Sequence, residues 1–156
     1  MSTRNIVWQN GIVGLALLSG AAHADDADEL TGDGTVMLIS KEILSMQQEH
    51  DTTLVTLRVT ARVDGLLQGT LESNETARVH ADGSIDVVSS HETFTGNVEG
   101  KSGTLEFHEH SVIDASGNMT GEFEVVNGSG ELAGARGCGS LRGASDTNTY
   151  QITLRF

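Results

Sequence analysis

Between Thr52 and Val63 apolar and polar residues alternate: Val55, Leu57, Val59 and Ala61 on one side, Thr56, Arg58, Thr60 and Arg62 on the other. A period of two is the signature of a strand, and one apolar side means one buried face. The period returns near the end, where Tyr150, Ile152, Leu154 and Phe156 alternate with Gln151, Thr153 and Arg155. It appears again from Met119 to Val126, with Phe123 and Val125 facing in and Glu122 and Glu124 facing out. Nineteen glycines and no proline punctuate these runs, the pattern of an all-β sandwich or barrel. A chain that ends on a good strand must pair it, and closure into a barrel removes exposed edges. The expectation is one all-β domain, a small antiparallel closed β-barrel. A chain of 156 residues is long enough for one such core.

Arg4 precedes an apolar stretch, Gly11 to Leu18, and then Ala22-His23-Ala24. This reads as a secretory signal peptide cleaved after Ala24, with an uncleaved amphipathic leader as the alternative. The apolar stretch is too short to cross a bilayer. The expected organisation is a signal peptide over 1–24, a mobile acidic N-terminal segment over 25–34, and a single barrel domain over 35–156. The domain is then periplasmic or secreted. A net charge of −13 argues against nucleic acid and anionic membrane surfaces as partners. Cys138 is the only cysteine, so no intrachain disulfide forms, and it reads as a small buried residue.

Lys41 to His50 reads as a helical turn or an irregular strand. Leu66 to Leu71 reads as a strand after the Asp64-Gly65 turn. Asn74 to His80 and Ser84 to Val88 flank Ala81-Asp82-Gly83, a loop that pairs Val79 with Ile85, Ala77 with Val87 and Arg78 with Asp86. The glycine-dense stretch from Asn127 to Gly139 reads as a tight corner with a short strand around Glu131 to Ala135.

His91 to His110 reads as a hairpin. A turn at Gly100-Lys101 pairs Phe94 with Phe107, Gly96 with Leu105 and Glu92 with Glu109. The other face carries His91, His108, His110 and Glu106. If Ile85 and Val87 face the core, strict alternation puts His91 there instead of Glu92. A bulge at Ser89-Ser90 resolves the conflict, because Phe94, Leu105 and Phe107 need burial more than Thr93 and Thr95 do. Two facing carboxyls on a buried face raise each other's pKa and share a proton, which sets a general acid beside a general base. Glu92 and Glu109 are therefore the candidate catalytic pair; on a wet barrel mouth they would do nothing chemical. His91, Glu106, His108 and His110 have the chemistry to hold Zn²⁺ or Ni²⁺. The preferred reading of that face is a polar outer wall, and no metal is expected.

GTLES at 69–73, ETFTG at 92–96, GKSGTLEF at 100–107 and VVNGSGELAGARG at 125–137 resemble a bacterial domain-of-unknown-function family with an allene oxide cyclase-like barrel. The resemblance covers about residues 54–156. It implies a calycin-like barrel with a central cavity and supplies no function for the family as a whole. The chain departs from the family's pattern at His91, His108 and Glu109. Related barrels, the allene oxide cyclases and small natural-product cyclases, hold a flexible substrate in an apolar lumen and steer its ring closure. By that analogy the expected function is a cyclase or isomerase reaction on a hydrophobic oxygenated small molecule, such as intramolecular epoxide opening. Glu92 and Glu109 would be acid and base. Phe94, Leu105, Phe107 and Tyr150 would contact the substrate, and Arg136 would sit at a pocket rim. No Walker loop, Rossmann fingerprint, zinc-finger spacing or G-x-S-x-G elbow is present, so no cofactor is expected. A homodimer is compatible with the sequence. The competing readings are a lipocalin-like binding barrel and a structural protein with a packed lumen.

Overall fold

The computed structural model describes residues 28–156. The signal-peptide reading and residues 25–27 lie outside the described residues. Eight strands follow one another: β1 (Glu29–Glu49), β2 (Thr52–Gly65), β3 (Leu67–Val79), β4 (Ile85–Val98), β5 (Lys101–Ile113), β6 (Asn118–Gly130), β7 (Arg136–Ala144) and β8 (Thr147–Arg155). Each pairs antiparallel with its sequence neighbours, and β1 pairs back onto β8 to close the barrel.

Several boundaries differ from expectation. The stretch expected to be mobile is already strand from Glu29, because Glu29 to Gly34 pair with Arg155 to Tyr150. Lys41 to Glu49 is an irregular strand rather than a helical turn, with register shifts at Ile39 and Leu44. Leu67 to Val79 is one strand, not two. The corner after Asn127 is a turn from Glu131 to Gly134, and the strand follows it, from Arg136. There the glycines let β7 approach its neighbours: a Cβ on Gly139 would collide with the Phe123 ring.

The interior falls into two halves. One is packed solid around Phe94, Leu105, Phe107, Phe123, Leu132 and Leu154. Phe107 and Phe123 meet edge to face, with centroids 5.5 Å apart. The other half holds Val55, Leu57, Val59, Ala77 and Val87, rimmed by the partly buried Leu38, Val79, Ile85 and Ile113. This second half is the smaller one. Tyr150 ties the packed half shut. Its hydroxyl accepts from the Leu67 N–H at 2.8 Å and donates to the Asp64 carbonyl at 3.3 Å. Tyr150→Phe strands a buried N–H, so it should cost about 1–3 kcal/mol in urea unfolding.

Candidate functional site

Three neighbouring strands change from apolar to polar and back along their inward faces. On β3 the order is Leu71, Ser73, Glu75, Ala77. On β4 it is Val87, Ser89, Glu92, Phe94, and on β5 it is Phe107, Glu109, Ser111, Ile113. The polar members line up because Ser73 pairs with Glu92, Glu75 with Ser89, and Ser89 with Glu109. A belt of three carboxyls and three hydroxyls therefore separates the two apolar clusters.

A bulge puts Glu92 in this belt. β4 shifts register between Ser89 and Glu92 against both neighbours, so Ser89 and Glu92 both face inward. This is the expected phase reset, found where Ser89-Ser90 predicted it. The hairpin turn lies one residue earlier than expected, at Glu99-Gly100. Both residues have positive φ, 47° and 86°, the signature of a type I′ turn. Val98 therefore pairs with Lys101, Phe94 with Leu105, and Glu92 with Phe107. That moves every pairing by two positions, which leaves the faces unchanged. Glu92 and Glu109 do not stand directly opposite each other. They are diagonal neighbours across β4 and β5.

Glu92 is 6 % exposed. Burial first, and then repulsion from Glu109 and Glu75, hold its pKa well above the carboxyl range. Its carboxyl shares a hydrogen bond with Glu109, which favours the proton on Glu92 and the charge on Glu109. Glu109 is itself raised by burial. The bond donated by the Ser111 hydroxyl, the Glu92 bond and the nearby His110 all oppose that rise. Glu75, nearer the mouth, is pushed up to about 7, by burial and then by Glu109, against the pull of Lys41 and Ser73. Ser73 and Ser89 hydroxyls bond to each other at 2.8 Å and brace β3 to β4. The belt thus holds an acid that keeps its proton beside a carboxylate that can accept one.

The structure brings Glu92 and Glu109 together and adds Glu75, which the sequence reading passes over. The signal is there: Ala77 pairs with Val87, so an inward Val87 makes Ala77 inward, and Glu75 is two residues before it on the same strand. Treating 66–71 and 74–80 as separate strands hides the phase.

Other expected site residues lie elsewhere. Phe94, Leu105 and Phe107 face inward but are close-packed in the solid half, so they do not line a hollow lumen. Tyr150 spends its hydroxyl on the backbone. Arg136 is exposed at the start of β7, donating to the Ala135 carbonyl at 2.7 Å, and is not part of the belt. His91, His108 and His110 are exposed on the outer wall. Glu106 accepts from the Asn127 side chain at 3.3 Å, and His108 lies 3.6 Å from Glu124. Among the described residues no three His, Cys, Asp or Glu side chains converge to hold a metal ion. Cys138 is exposed rather than buried. It joins Asp33, His108, His110, Glu122 and Glu124 along a broad concavity of about 1120 Å³ whose lining also includes the belt residues Ser89 and Glu109.

Residues 30–156 match a family described as "Protein of unknown function (DUF3224)". A DUF3224 protein of unknown function from Shewanella oneidensis MR-1 superposes with a TM-score of 0.64. It is 21 % identical, and the match covers 84 % of this chain and 98 % of that one. A pterocarpan synthase dirigent protein superposes with a TM-score of 0.54 at 12 % identity, covering 98 % of each chain. At these identities the likeness is one of fold. No curated protein matches the chain significantly.

Proposed function

Since the chain belongs to the DUF3224 family, which carries no described activity, we propose a function from its own interior: a cofactor-free cyclase or isomerase, used as allene oxide cyclase-like barrels are used. The reading rests on one observation, two inward-facing carboxyls, buried Glu92 and half-buried Glu109, at diagonal positions of β4 and β5 between two apolar clusters. The barrel does not need that pair in order to close. Every carboxyl in the belt opposes burial, and Lys41, the cation that offsets Glu75, is exposed.

The substrate class is a hydrophobic small molecule carrying an epoxide or enone oxygen and a hydroxyl. Its chain lies against Val55, Leu57, Val59 and Val87. Glu92 donates its proton to the epoxide oxygen as that C–O bond breaks. The substrate hydroxyl oxygen forms the new C–O bond, and its proton passes to Glu109. One proton has entered the product and one has left it. Transfer from Glu109 back to Glu92 along their hydrogen bond restores the starting state. The apolar walls hold the chain near the ring-closing geometry.

The test uses a hydroxy-epoxide on a medium-length alkyl chain, with the cyclic ether as readout. Glu92→Gln and Glu109→Gln should each slow turnover by at least about a hundredfold while leaving ligand affinity within about threefold. Normal turnover in both variants would end the acid–base assignment. Unchanged binding with no turnover in wild type would leave a binding barrel instead.

A further inference from the structure

The chemistry proposed above uses Glu92 and Glu109 and leaves Glu75, Ser73 and Ser89 without a part. Ser73 and Ser89 are 3 % and 2 % exposed, as deeply buried as the apolar core. Hydroxyls so buried are costly unless they are bonded. With Glu75 and Glu92 they form one patch on two strands. Ser73 stands opposite Glu92, and Glu75 stands opposite Ser89. The β4 bulge makes the patch possible. Ser89 and Glu92 are an odd number of positions apart, and plain alternation would turn one of them out.

The patch is bonded from end to end. Ser73 bonds to the Glu75 carboxyl, the Ser73 and Ser89 hydroxyls bond to each other at 2.8 Å, and Ser89 bonds to the Glu92 carboxyl. Glu92 bonds in turn to Glu109, which accepts from the Ser111 hydroxyl. One chain of hydrogen bonds therefore crosses β3, β4 and β5.

Protons are scarce along it. Each hydroxyl has a single O–H to donate, and an ionised carboxylate has none. Between Glu75 and Glu92 there are three bonds and only two hydroxyl protons. The third proton has to belong to a carboxylic acid. With that proton on Glu92, Glu92 donates to Ser89, Ser89 to Ser73, and Ser73 to the Glu75 carboxylate. With it on Glu75, every bond runs the other way. Passing between the two states, each serine gains one proton and gives one up. Both serines end as hydroxyls, and the acid proton has changed ends.

The ends themselves differ. Glu92 is 6 % exposed and cannot trade its proton with water directly. Glu75 is half-buried, and the exposed Lys41 lies close enough to stabilise its charge. A second bulge sets that lysine there: the extra residue Ile39 shifts the phase of β1, so Lys41 pairs with the inward Val59.

We infer that Ser73 and Ser89 are a proton relay, through which Glu75 at the outer end exchanges the acid proton of buried Glu92 with water. The relay deepens the acid–base function proposed above and rests on it for its use, since it resets Glu92 while a product still covers Glu109. Its existence needs no turnover.

The test follows hydrogen–deuterium exchange of the Glu92 acid proton in the full chain. The readout is the infrared carbonyl stretch of the protonated carboxyl, assigned by its loss in Glu92→Gln. The background is Glu109→Gln, which closes the other way out. Exchange there should stay within about threefold of wild type, and adding Ser89→Ala, Ser73→Ala or Glu75→Gln should slow it at least about tenfold, the cost of one missing bonded step. Ser73→Thr keeps a hydroxyl and should leave exchange fast. The three substitutions break the relay at separate points, so a variant that unfolds leaves two others to decide. Serines that merely brace the sheet would act with the opposite sign, because their loss loosens the strands and speeds exchange. Unchanged or faster exchange in the alanine variants overturns the inference. So does exchange already about tenfold slow in Glu109→Gln alone, since Glu109 is then the port. Turnover of the hydroxy-epoxide is a separate readout. Slowed exchange without turnover in wild type removes the cyclase and keeps the relay, and turnover with unaltered exchange removes the relay alone.

Discussion

Replacing Glu75 with glutamine should raise stability at pH 8 by roughly 3 kcal/mol and leave it unchanged at pH 4. The folded protein holds the Glu75 proton to about pH 7, against an ordinary value of 4.5. A pKa raised on folding means the native state binds that proton more tightly than the unfolded chain does. The contribution is complete below the unfolded pKa and is lost as pH rises through the folded one. A shift of this size amounts to roughly 3 kcal/mol at 1.4 kcal/mol for each tenfold step. For a domain of this length that is a melting-temperature change of about 10 °C.

Wild type should therefore lose stability between pH 4.5 and 7, the reverse of the usual acid-side behaviour. Glu92 and Glu109 are raised by burial too and act in the same direction. The turn aspartates pull the other way, in a different window. Hydrogen bonds from Ser84 hold Asp82 below its ordinary value, and bonds from Asn118 and Ser116 do the same for Asp114. Their contributions are present above the ordinary aspartate pKa and fade as pH falls below it. Stability is then greatest in mild acid, between the two windows. Calorimetry from pH 3 to 9 on wild type and Glu75→Gln checks this. A wild-type profile that is flat from pH 5 to 8 would show that the belt carboxyls are freely hydrated.

Alternation gave the barrel. β2, β6 and β8 each show one apolar side in the sequence, and in each that side faces the interior. The Ser89 bulge was legible because two aromatic residues and a leucine had to be buried beyond it. The turn register was not legible to one residue, because Glu99-Gly100 and Gly100-Lys101 both satisfy the local chemistry. Twist and the left-handed conformation of Glu99 decide between them. What alternation cannot reveal is how far an inward face stands from its opposite wall. Phe94 and Val55 have the same pattern in the sequence, yet they fall in separate apolar clusters on either side of the belt. The difference is set by strand stagger around the ring, which no single strand encodes. The exposed edge of β1 was hidden for the same reason. Its apolar residues look like core until the partner strand is seen to stop at Thr147.

Phe94→Ala should cost about 3–5 kcal/mol and create a dry cavity in the packed half. Phe94 is 0 % exposed. Its ring lies over a glycine pair, Gly69 and Gly96, which face each other across β3 and β4. A Cβ on Gly69 would come within 3.0 Å of that ring, and one on Gly96 within 2.8 Å. The glycines leave room for the ring, and the ring covers the backbone they expose. Removing it leaves a space walled by strands that are hydrogen-bonded on both sides, so the walls cannot collapse inward. Leu105, Val98 and Leu154 make the lining apolar, which favours benzene over water. Benzene should restore part of the lost melting temperature in Phe94→Ala and do nothing for wild type. The result bears on the site because Phe94 is two residues from Glu92, on the same face. A solid floor beneath the belt keeps water from the buried carboxyl and confines any substrate to the other side of the belt. A loss below about 1 kcal/mol, outside the range of core truncations, with no benzene effect would mean that the floor is loose and the substrate space runs deeper.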